Sequence, residues 1–147
     1  MVLKDTNCEE AELLIRRAVT LSETLPSPPH PNEAKLLNNL ATLLYDSNRF
    51  EEAEPLIRRA LGIDEVSFGS QHPEVAVDLN NLAHLLWATN RLKEAEPLMR
   101  RAVEIWERSL GLDHPTTQRG RKNLASFSLL VKLSQAAEAA GEPTPIT

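Results

Sequence analysis

The sequence repeats itself at a fixed interval of 42 residues. The phrase Asn38-Asn39-Leu40-Ala41 recurs as Asn80-Asn81-Leu82-Ala83, and a weaker copy appears as Lys122-Asn123-Leu124-Ala125. A second phrase, Glu-Ala-Glu-x-Leu-x-Arg-Arg-Ala, begins at residues 10, 52 and 94 with the same offset. Self-similarity at such a period is typical of an array of stacked units, none of which buries its apolar face alone. The chain is therefore expected to be a repeat array.

Each unit is predicted to be a pair of α-helices, because its apolar residues recur at helical spacing. In the first full unit the apolar positions are Ala34, Leu37, Leu40, Ala41 and Leu44. Ala, Leu, Glu and Arg are good helix formers, whereas aromatic residues (4%) and five glycines offer little for strands. The predicted helices span residues 32–46 and 50–66 in one unit and 74–88 and 92–110 in the next.

Helix starts and stops are marked by the same residues in each unit. The pair His-Pro at residues 30–31, 72–73 and 114–115 precedes a predicted helix, and proline is well placed at a first helical position. Gly69 and Gly111 are expected just past a helix end. The three histidines lie one per repeat, too far apart to converge on one ion, so we expect them to serve loops and caps and predict no metal site.

The chain divides into a series of predicted segments. They are a partial repeat with only its second helix (1–25), a Pro-rich linker (26–31), full repeats (30–71 and 72–113), a divergent capping repeat (114–140) and a tail (141–147). In the capping repeat we expect a first helix over 116–130 and a short substitute second helix over 132–140. The half repeat at the start predicts a fragment of a longer protein, or a chain that covers this end by self-association.

Composition argues against several classes of function. The formal net charge is −5, with the acidic excess in residues 1–71, whereas a general nucleic-acid binder needs a basic face. No apolar run approaches ~20 residues, and the first residues lack a signal-peptide pattern, which predicts no membrane association and a cytoplasmic location. Cys8 is the only cysteine, so no internal disulfide forms. There is no phosphate-binding loop or catalytic set, so we predict neither an enzyme nor a cofactor.

Together these motifs resemble tetratricopeptide repeats in their long, 42-residue form, as in kinesin light chain and nephrocystin-3-like proteins. The resemblance covers about residues 8–132. It implies an all-α, right-handed superhelical solenoid of antiparallel helix pairs, in which the first helix of each pair lines a concave groove that holds extended peptides.

The resemblance also implies a set of groove residues. In the first repeat these are Lys35, Asn38, Thr42 and Tyr45; in the second Val77, Asn80, His84 and Trp87; in the third Arg119, Lys122, Ser126 and Leu129; and beside them lie Asn39, Asn81 and Asn123.

The residue types suit peptide binding independently of the resemblance. A side-chain amide both donates and accepts, so Asn38 and Asn80 could bond the N–H and C=O of an extended ligand; alternatively, one amide of each pair bonds the neighbouring helix. Tyr45 and Trp87 are aromatic anchors of a kind favoured at interfaces, or they pack against the next repeat. His84 is either a polar groove residue or a surface histidine.

A basic run near the C-terminus predicts the charge of the ligand. Arg119, Arg121, Lys122 and Lys132 occur in a stretch without an acidic residue between Asp113 and Glu138. This run suggests a protein or peptide ligand that carries acidic residues or a C-terminal carboxylate; the alternative is a solvated helix face.

The sequence therefore predicts a protein–protein interaction module within a larger scaffold or signalling protein. Two other functions compete with it. One is homo-oligomerisation through the unpaired N-terminal helix, and the other is intramolecular regulation of a signalling protein.

Overall fold

The computed structural model describes residues 2–24 and 30–141, with side chains from residue 8 onward. The described residues form helices and no strand. The helices are α1 (Val2–Thr24), α2 (Pro31–Asp46), α3 (Phe50–Phe68), α4 (Pro73–Ala88), α5 (Leu92–Leu110) and α6 (Pro115–Ala139). Most of the predicted Pro-rich linker at 26–31 and of the predicted tail at 141–147 lies outside the described residues. None of the helices in the described segments is both long and apolar enough to cross a bilayer.

The helices fall into two compact units, α1–α3 up to Ser70 and α4–α6 from Gln71. In the first unit α2 packs against both α1 and α3, and in the second unit α5 packs against both α4 and α6. Each unit is therefore a three-helix layer with its own apolar interior. The predicted all-α architecture of helix pairs is confirmed.

Histidine side chains cap the N-termini of three helices. The Nδ1 atom of His30, His72 and His114 accepts a hydrogen bond from the backbone N–H two residues later, at 3.2, 3.1 and 3.2 Å. In each case proline follows at the first helical position. A backbone N–H at a helix start has no intrahelical partner, so this bond satisfies a donor that would otherwise remain exposed. The predicted capping role is confirmed, and the described residues contain no cluster that could hold a metal ion.

Two asparagines reverse the chain between paired helices. Asn48 (φ 60°) ends the turn after α2, and Asn90 (φ 62°) ends the turn after α4. Both are left-handed, a region that asparagine tolerates better than most residues with a Cβ atom. In each turn the following arginine N–H bonds back to a leucine carbonyl of the preceding helix at 2.7 Å. Because the turn is short, the two helices of a pair lie side by side.

The first unit is held by an apolar cluster and by ion pairs at its edge. Val19 of α1, Ala34 and Leu37 of α2, and Ala60 and Ile63 of α3 form the cluster. The carboxylate of Glu33 is 5% exposed and pairs with Arg59, which also pairs with Glu23 of α1. Ser22 Oγ donates to the same Glu33 carboxylate at 3.2 Å. A buried carboxylate needs such partners, and these partners join all three helices.

A further ion pair ties α1 to the turn between α2 and α3. The guanidinium of Arg49 donates from Nη1 to both carboxylate oxygens of Glu12, at 3.0 and 2.9 Å. Arg49 and Glu12 are 37 residues apart in sequence, so this contact fixes the position of α1 along the hairpin.

The second unit is packed around α5. The apolar stripe of this helix is buried at Ala95, Met99, Ala102, Val103 and Trp106 and half-buried at Leu98. The fully buried Thr117 of α6 donates through Oγ1 to the Trp106 carbonyl at 3.3 Å. Gly120 lies against the indole of Trp106, where a side chain would have no room. A glycine thus lets α6 approach α5 closely.

The last helix is longer than expected. The predicted break between a helix ending at residue 130 and a short second helix over 132–140 is wrong, because α6 is continuous from Pro115 to Ala139. Lys132 stands where Asn48 and Asn90 form the turns of the earlier repeats. Without a residue that favours the left-handed conformation, the Ala-rich stretch continues the helix.

Candidate functional site

The second unit brings predicted groove residues of α4 and α6 into contact. Asn123 Nδ2 of α6 lies 3.4 Å from His84 Nε2 of α4. The same histidine meets Phe127 edge to face, with ring centroids 5.6 Å apart and an interplanar angle of 77°. Residues 84 and 123–127 approach each other, and so do residues 87 and 127, so α4 and α6 run in the same direction. The two helices that were predicted to line a groove are therefore neighbours in this unit.

Trp87 is held in the same cluster. Its ring centroid is 5.3 Å from that of Phe127 and 6.4 Å from that of His84. The indole is half-buried, and its Nε1 atom is shielded and makes no hydrogen bond within the described part of the chain. Trp87 thus packs against the third repeat, as one of its two predicted roles requires. Its use as a ligand anchor stays a prediction.

Burial affects the charge state of His84. The surrounding side chains remove water from the imidazole and lower its pKa below the ordinary value of 6.5. An amide nitrogen such as Asn123 Nδ2 only donates, so Nε2 accepts and carries no proton in this arrangement. The site therefore holds a neutral histidine at neutral pH.

The paired asparagines of α4 lie one turn before His84. Asn80 and Asn81 are half-buried, and the nearby Val77 is 40% exposed. Neither amide side chain makes a hydrogen bond to another described residue of the protein. This differs from Asn123, whose amide is engaged by His84. Asn80 and Asn81 thus keep donors and acceptors that a bound segment could use.

One face of α6 is exposed along its length. We call this the α6 outer face, and it consists of Arg119, Lys122, Ser126, Leu129 and Leu133. These residues follow helical spacing, with the cations toward the N-terminal half and the leucines, 57% and 49% exposed, toward the C-terminal half. Within the described residues, neither Arg119 nor Lys122 pairs with a carboxylate.

The predicted basic run is split by the helix. Arg121 points away from the α6 outer face and lies 3.6 Å from a carboxylate oxygen of Glu107 on α5. Lys132 is exposed but also lies outside that face. Only Arg119 and Lys122 of the four cations therefore share a surface with the predicted groove residues of the third repeat.

The remaining predicted residues lie on α2, in the first unit. Lys35, Asn39 and Thr42 are exposed, and Thr42 Oγ1 donates to the Asn38 carbonyl at 2.9 Å. Asn38 is half-buried with its Oδ1 atom enclosed. Tyr45 packs edge to face on Phe50 of α3, with ring centroids 5.2 Å apart. Tyr45 is thus partly engaged within its own hairpin, and a ligand role for these α2 residues stays a prediction.

Phe127 is central to the α4–α6 contact and was not among the predicted site residues. It is 1% exposed and touches both His84 and Trp87. One indication of its role is present in the sequence: Phe127 occupies the position of Leu43 and Leu85 in the earlier repeats, with an aromatic ring in place of leucine. Such a replacement indicates a residue of the core, so the sequence alone could not predict that Phe127 contacts two groove residues.

Comparison with known proteins identifies the repeats. Two family models, both described as tetratricopeptide repeat, match residues 2–66 and 79–116, together most of the chain. No curated protein sequence matches significantly.

Solved structures have a similar fold. BtubC (BKLC) from P. vanneervenii superposes with a TM-score of 0.74 at 24% identity, over 85% of this chain and 49% of that protein. Two crystal structures of a kinesin light chain candidate from Podosopora anserina, with nearly identical TPR-like repeats, each give 0.74 at 22% identity. They cover 93% and 92% of this chain and 65% and 70% of theirs. The chain thus spans about half of the first relative and about two-thirds of the others.

At 22–24% sequence identity, the similarity to these structures shows a shared fold and nothing more. The family assignment depends on the repeat models and on the motifs at their fixed interval. Tetratricopeptide arrays present extended surfaces that bind other proteins. The helix pairs, the capped starts and the matched repeats together show that this chain belongs to the tetratricopeptide repeat family.

Proposed function

We propose that this chain is a protein–protein interaction module that binds an extended, acidic segment of a partner across α4 and α6. The proposal depends on one observation: two kinds of binding group, amides and cations, occur on these neighbouring helices. Asn80 and Asn81 on α4 and Arg119 and Lys122 on α6 have side chains that bond to no other described residue. The first pair can bond a peptide backbone, and the second can attract carboxylates.

The contacts at His84 support a preformed surface. Asn123 and Phe127 hold the imidazole from α6, so α4 and α6 are fixed relative to each other before a ligand arrives. A rigid surface loses less conformational entropy on binding than a mobile one. The amides of α4 and the cations of α6 would therefore meet a ligand at a defined separation.

The α6 outer face gives the expected ligand a direction. Its cations lie toward the N-terminal half of α6, whereas Leu129 and Leu133 lie toward the C-terminal half. A segment with acidic residues at one end and apolar residues at the other would match both. The proposed ligand therefore has mixed acidic and apolar character.

A titration with a defined peptide tests the proposal. The probe is a fluorescein-labelled peptide with Glu residues at one end and Leu residues at the other, and its binding is followed by anisotropy at 50 and 500 mM NaCl. We expect saturable binding that weakens at high salt, because exposed charges are screened beyond a Debye length of about 4 Å at 500 mM. Reversing the charge of Arg119 and Lys122 with Glu should abolish binding, and Asn80→Ala should weaken it about five- to tenfold, the loss of one hydrogen bond.

Lys132→Glu is the matched control, because it reverses a charge on the same helix outside the α6 outer face. Binding that survives the Arg119→Glu/Lys122→Glu change, or that is equally sensitive to Lys132→Glu, would contradict the proposal.

The two competing functions give different results. Self-association predicts a molar mass that rises with concentration in light scattering. Regulation within a longer chain predicts that a neighbouring segment of that chain, supplied as a peptide, competes with the labelled probe.

A further inference from the structure

The two nitrogen atoms of the His84 ring have different surroundings. Nε2 lies 3.4 Å from the side-chain amide of Asn123 on α6. Nδ1, on the other edge of the ring, makes no hydrogen bond to another described residue. Unlike Nε1 of Trp87, it is also not sealed from solvent. One edge of the imidazole is therefore bound to α6, whereas the other edge is open to a ligand.

Asn123 determines which nitrogen of His84 carries the proton. A neutral imidazole has one N–H group, and its position is set by the hydrogen bond that the other nitrogen makes. The Asn123 amide nitrogen only donates, so Nε2 accepts and the proton resides on Nδ1. Phe127 meets the same ring edge to face, with ring centroids 5.6 Å apart, and so restrains the direction of the Nδ1–H group. The result is a neutral donor with a defined orientation.

His84 lies at the contact between the helix that carries the amides and the helix that carries the cations. On α4 it follows the paired asparagines by one turn. On α6 its partner Asn123 comes directly after Lys122 and one turn after Arg119. An acidic side chain attracted by these cations would therefore approach the surface near the open edge of the imidazole.

We propose that His84 binds a carboxylate of the partner segment through its Nδ1–H group, and that Asn123 is the positioning residue that keeps the proton on this nitrogen. The inference rests on the function proposed for α4 and α6, and it specifies which group of the acidic segment is recognised at α4. A carboxylate suits the site better than a backbone carbonyl, because the cations of α6 attract it and because its charge strengthens the hydrogen bond.

No charged side chain of the described chain already acts on His84. Burial is what lowers its pKa, and no carboxylate or cation contributes to that shift. On α4, Asp78 lies six residues earlier and therefore on a different side of the helix. On α5, Glu96 faces α6, but its carboxylate is already bound by other side chains. On α6, Arg119 and Lys122 are exposed cations. A negative charge at the imidazole would therefore come from the ligand.

Ligand binding should also be coupled to proton uptake. A carboxylate next to the ring stabilises the imidazolium and raises the pKa of His84 in the complex. When Nε2 takes up a proton, rotation of the Asn123 amide by half a turn lets its Oδ1 atom accept the new N–H. The free chain has the lower pKa and the complex the higher one, so affinity rises as pH falls through the interval between them. A single proton limits the rise to about tenfold per pH unit.

The tautomer of His84 can be measured without a ligand. The sample is the unmodified chain with nitrogen-15-labelled histidine, and the readout is the pair of ring nitrogen chemical shifts at pH 7.5. We expect His84, assigned by its absence from the spectrum of His84→Gln, to carry its proton on Nδ1. Asn123→Ala should shift the population toward the Nε2–H form. A residue at position 123 that only filled space would leave the tautomer unchanged.

A peptide titration over pH tests the ligand contact. The probe is the peptide with Glu at one end and Leu at the other, labelled with a rhodamine dye whose emission is constant from pH 5.5 to 7.5. Its Glu residues stay mostly ionised in this range, so we expect affinity to rise as pH falls because of the protein. His84→Gln keeps a polar group near the position of Nε2 but has no donor at Nδ1. It should bind about tenfold more weakly and lose the pH dependence, since a hydrogen bond to a charged group is removed.

His114→Asn is the matched control, because it removes another histidine of the same unit and keeps an N-cap for α6. It should retain the affinity and the pH dependence of the unmodified chain. A second peptide with Gln in place of Glu should show no difference between the unmodified chain and His84→Gln. Circular dichroism checks that each variant stays helical.

The outcomes separate this inference from the function on which it rests. If the unmodified chain binds no acidic peptide at any pH, the function proposed for α4 and α6 is wrong and the inference falls with it. Peptide binding that His84→Gln leaves unchanged, or that is independent of pH, overturns the inference alone. A free chain in which His84 carries its proton on Nε2 overturns it as well.

Discussion

The indole of Trp106 lies directly against the backbone of Gly120. A Cβ atom added at residue 120 would be 2.8 Å from Cζ3 and 2.9 Å from Cε3 of that ring, closer than such atoms approach in proteins. Trp106 is 4% exposed, so its ring has little room to move. The close contact between α5 and α6 therefore requires glycine at a position where helix propensity alone would disfavour it.

Gly120→Ala is expected to destabilise the protein by about 1–3 kcal/mol, the usual cost of overpacking a core, despite the helix propensity of alanine. Urea unfolding followed by circular dichroism measures the change. Gly62→Ala is the matched control, since Gly62 is a mid-helix glycine with no atom within 4 Å of an added Cβ. It should gain up to about 1 kcal/mol. Equal effects of the two changes would contradict the close contact.

Phe127→Ala should remove the aromatic contact between α4 and α6. Because Phe127 is buried against His84 and Trp87, we expect a loss of about 3–5 kcal/mol of unfolding free energy and a change in tryptophan emission. Leu129→Ala, two residues away on the α6 outer face, should cost less than about 0.5 kcal/mol. A small effect at Phe127 would mean that α4 and α6 are held together by other contacts.

Asn90→Ala should cost about 1–2 kcal/mol, because alanine pays the full penalty of the left-handed conformation that this turn requires. Asn90→Gly should be close to neutral, since glycine adopts positive φ freely. Thermal unfolding of the two variants side by side measures the difference. Equal melting temperatures would show that the turn is fixed by something other than this backbone angle.

The stability of the second unit should depend on the protonation of His84. Burial lowers the pKa of His84 in the folded chain, so the unfolded chain takes up a proton at higher pH than the folded chain does. The resulting stability is fully present above pH about 6.5, the unfolded value, and is lost as pH falls toward the folded pKa. Between pH 7.5 and 5 the free energy of unfolding should therefore fall more for the unmodified chain than for His84→Gln. Identical pH dependence of the two would contradict the prediction.

Much of the fold could be predicted because each repeat marks its own helices. The His-Pro pairs, the turn asparagines and the glycines at helix ends lie where local backbone chemistry requires them, as His72 and Asn90 illustrate. The apolar stripe of α2 is buried at all five predicted positions. These signals are local, so a single sequence displays them.

The parts that could not be predicted depend on contacts between distant residues. The role of Gly120 depends on its contact with Trp106, which comes from another helix. Asn123 and His84 are 39 residues apart, and only the packing of α6 shows that one amide of the groove set is already used. The sequence therefore indicated which side chains have suitable chemistry but could not separate those engaged internally from those left open.

The replacement of a turn asparagine by Lys132 has a consequence for how such chains vary. In the two full repeats the chain folds back at a left-handed asparagine, whereas in the last repeat, where Lys132 occupies that position, the helix continues. Together with the other differences around Lys132, this replacement leaves the last unit as one long helix in place of a hairpin. A repeat of this kind can thus end in a hairpin or in one long helix, depending on the residues at its turn.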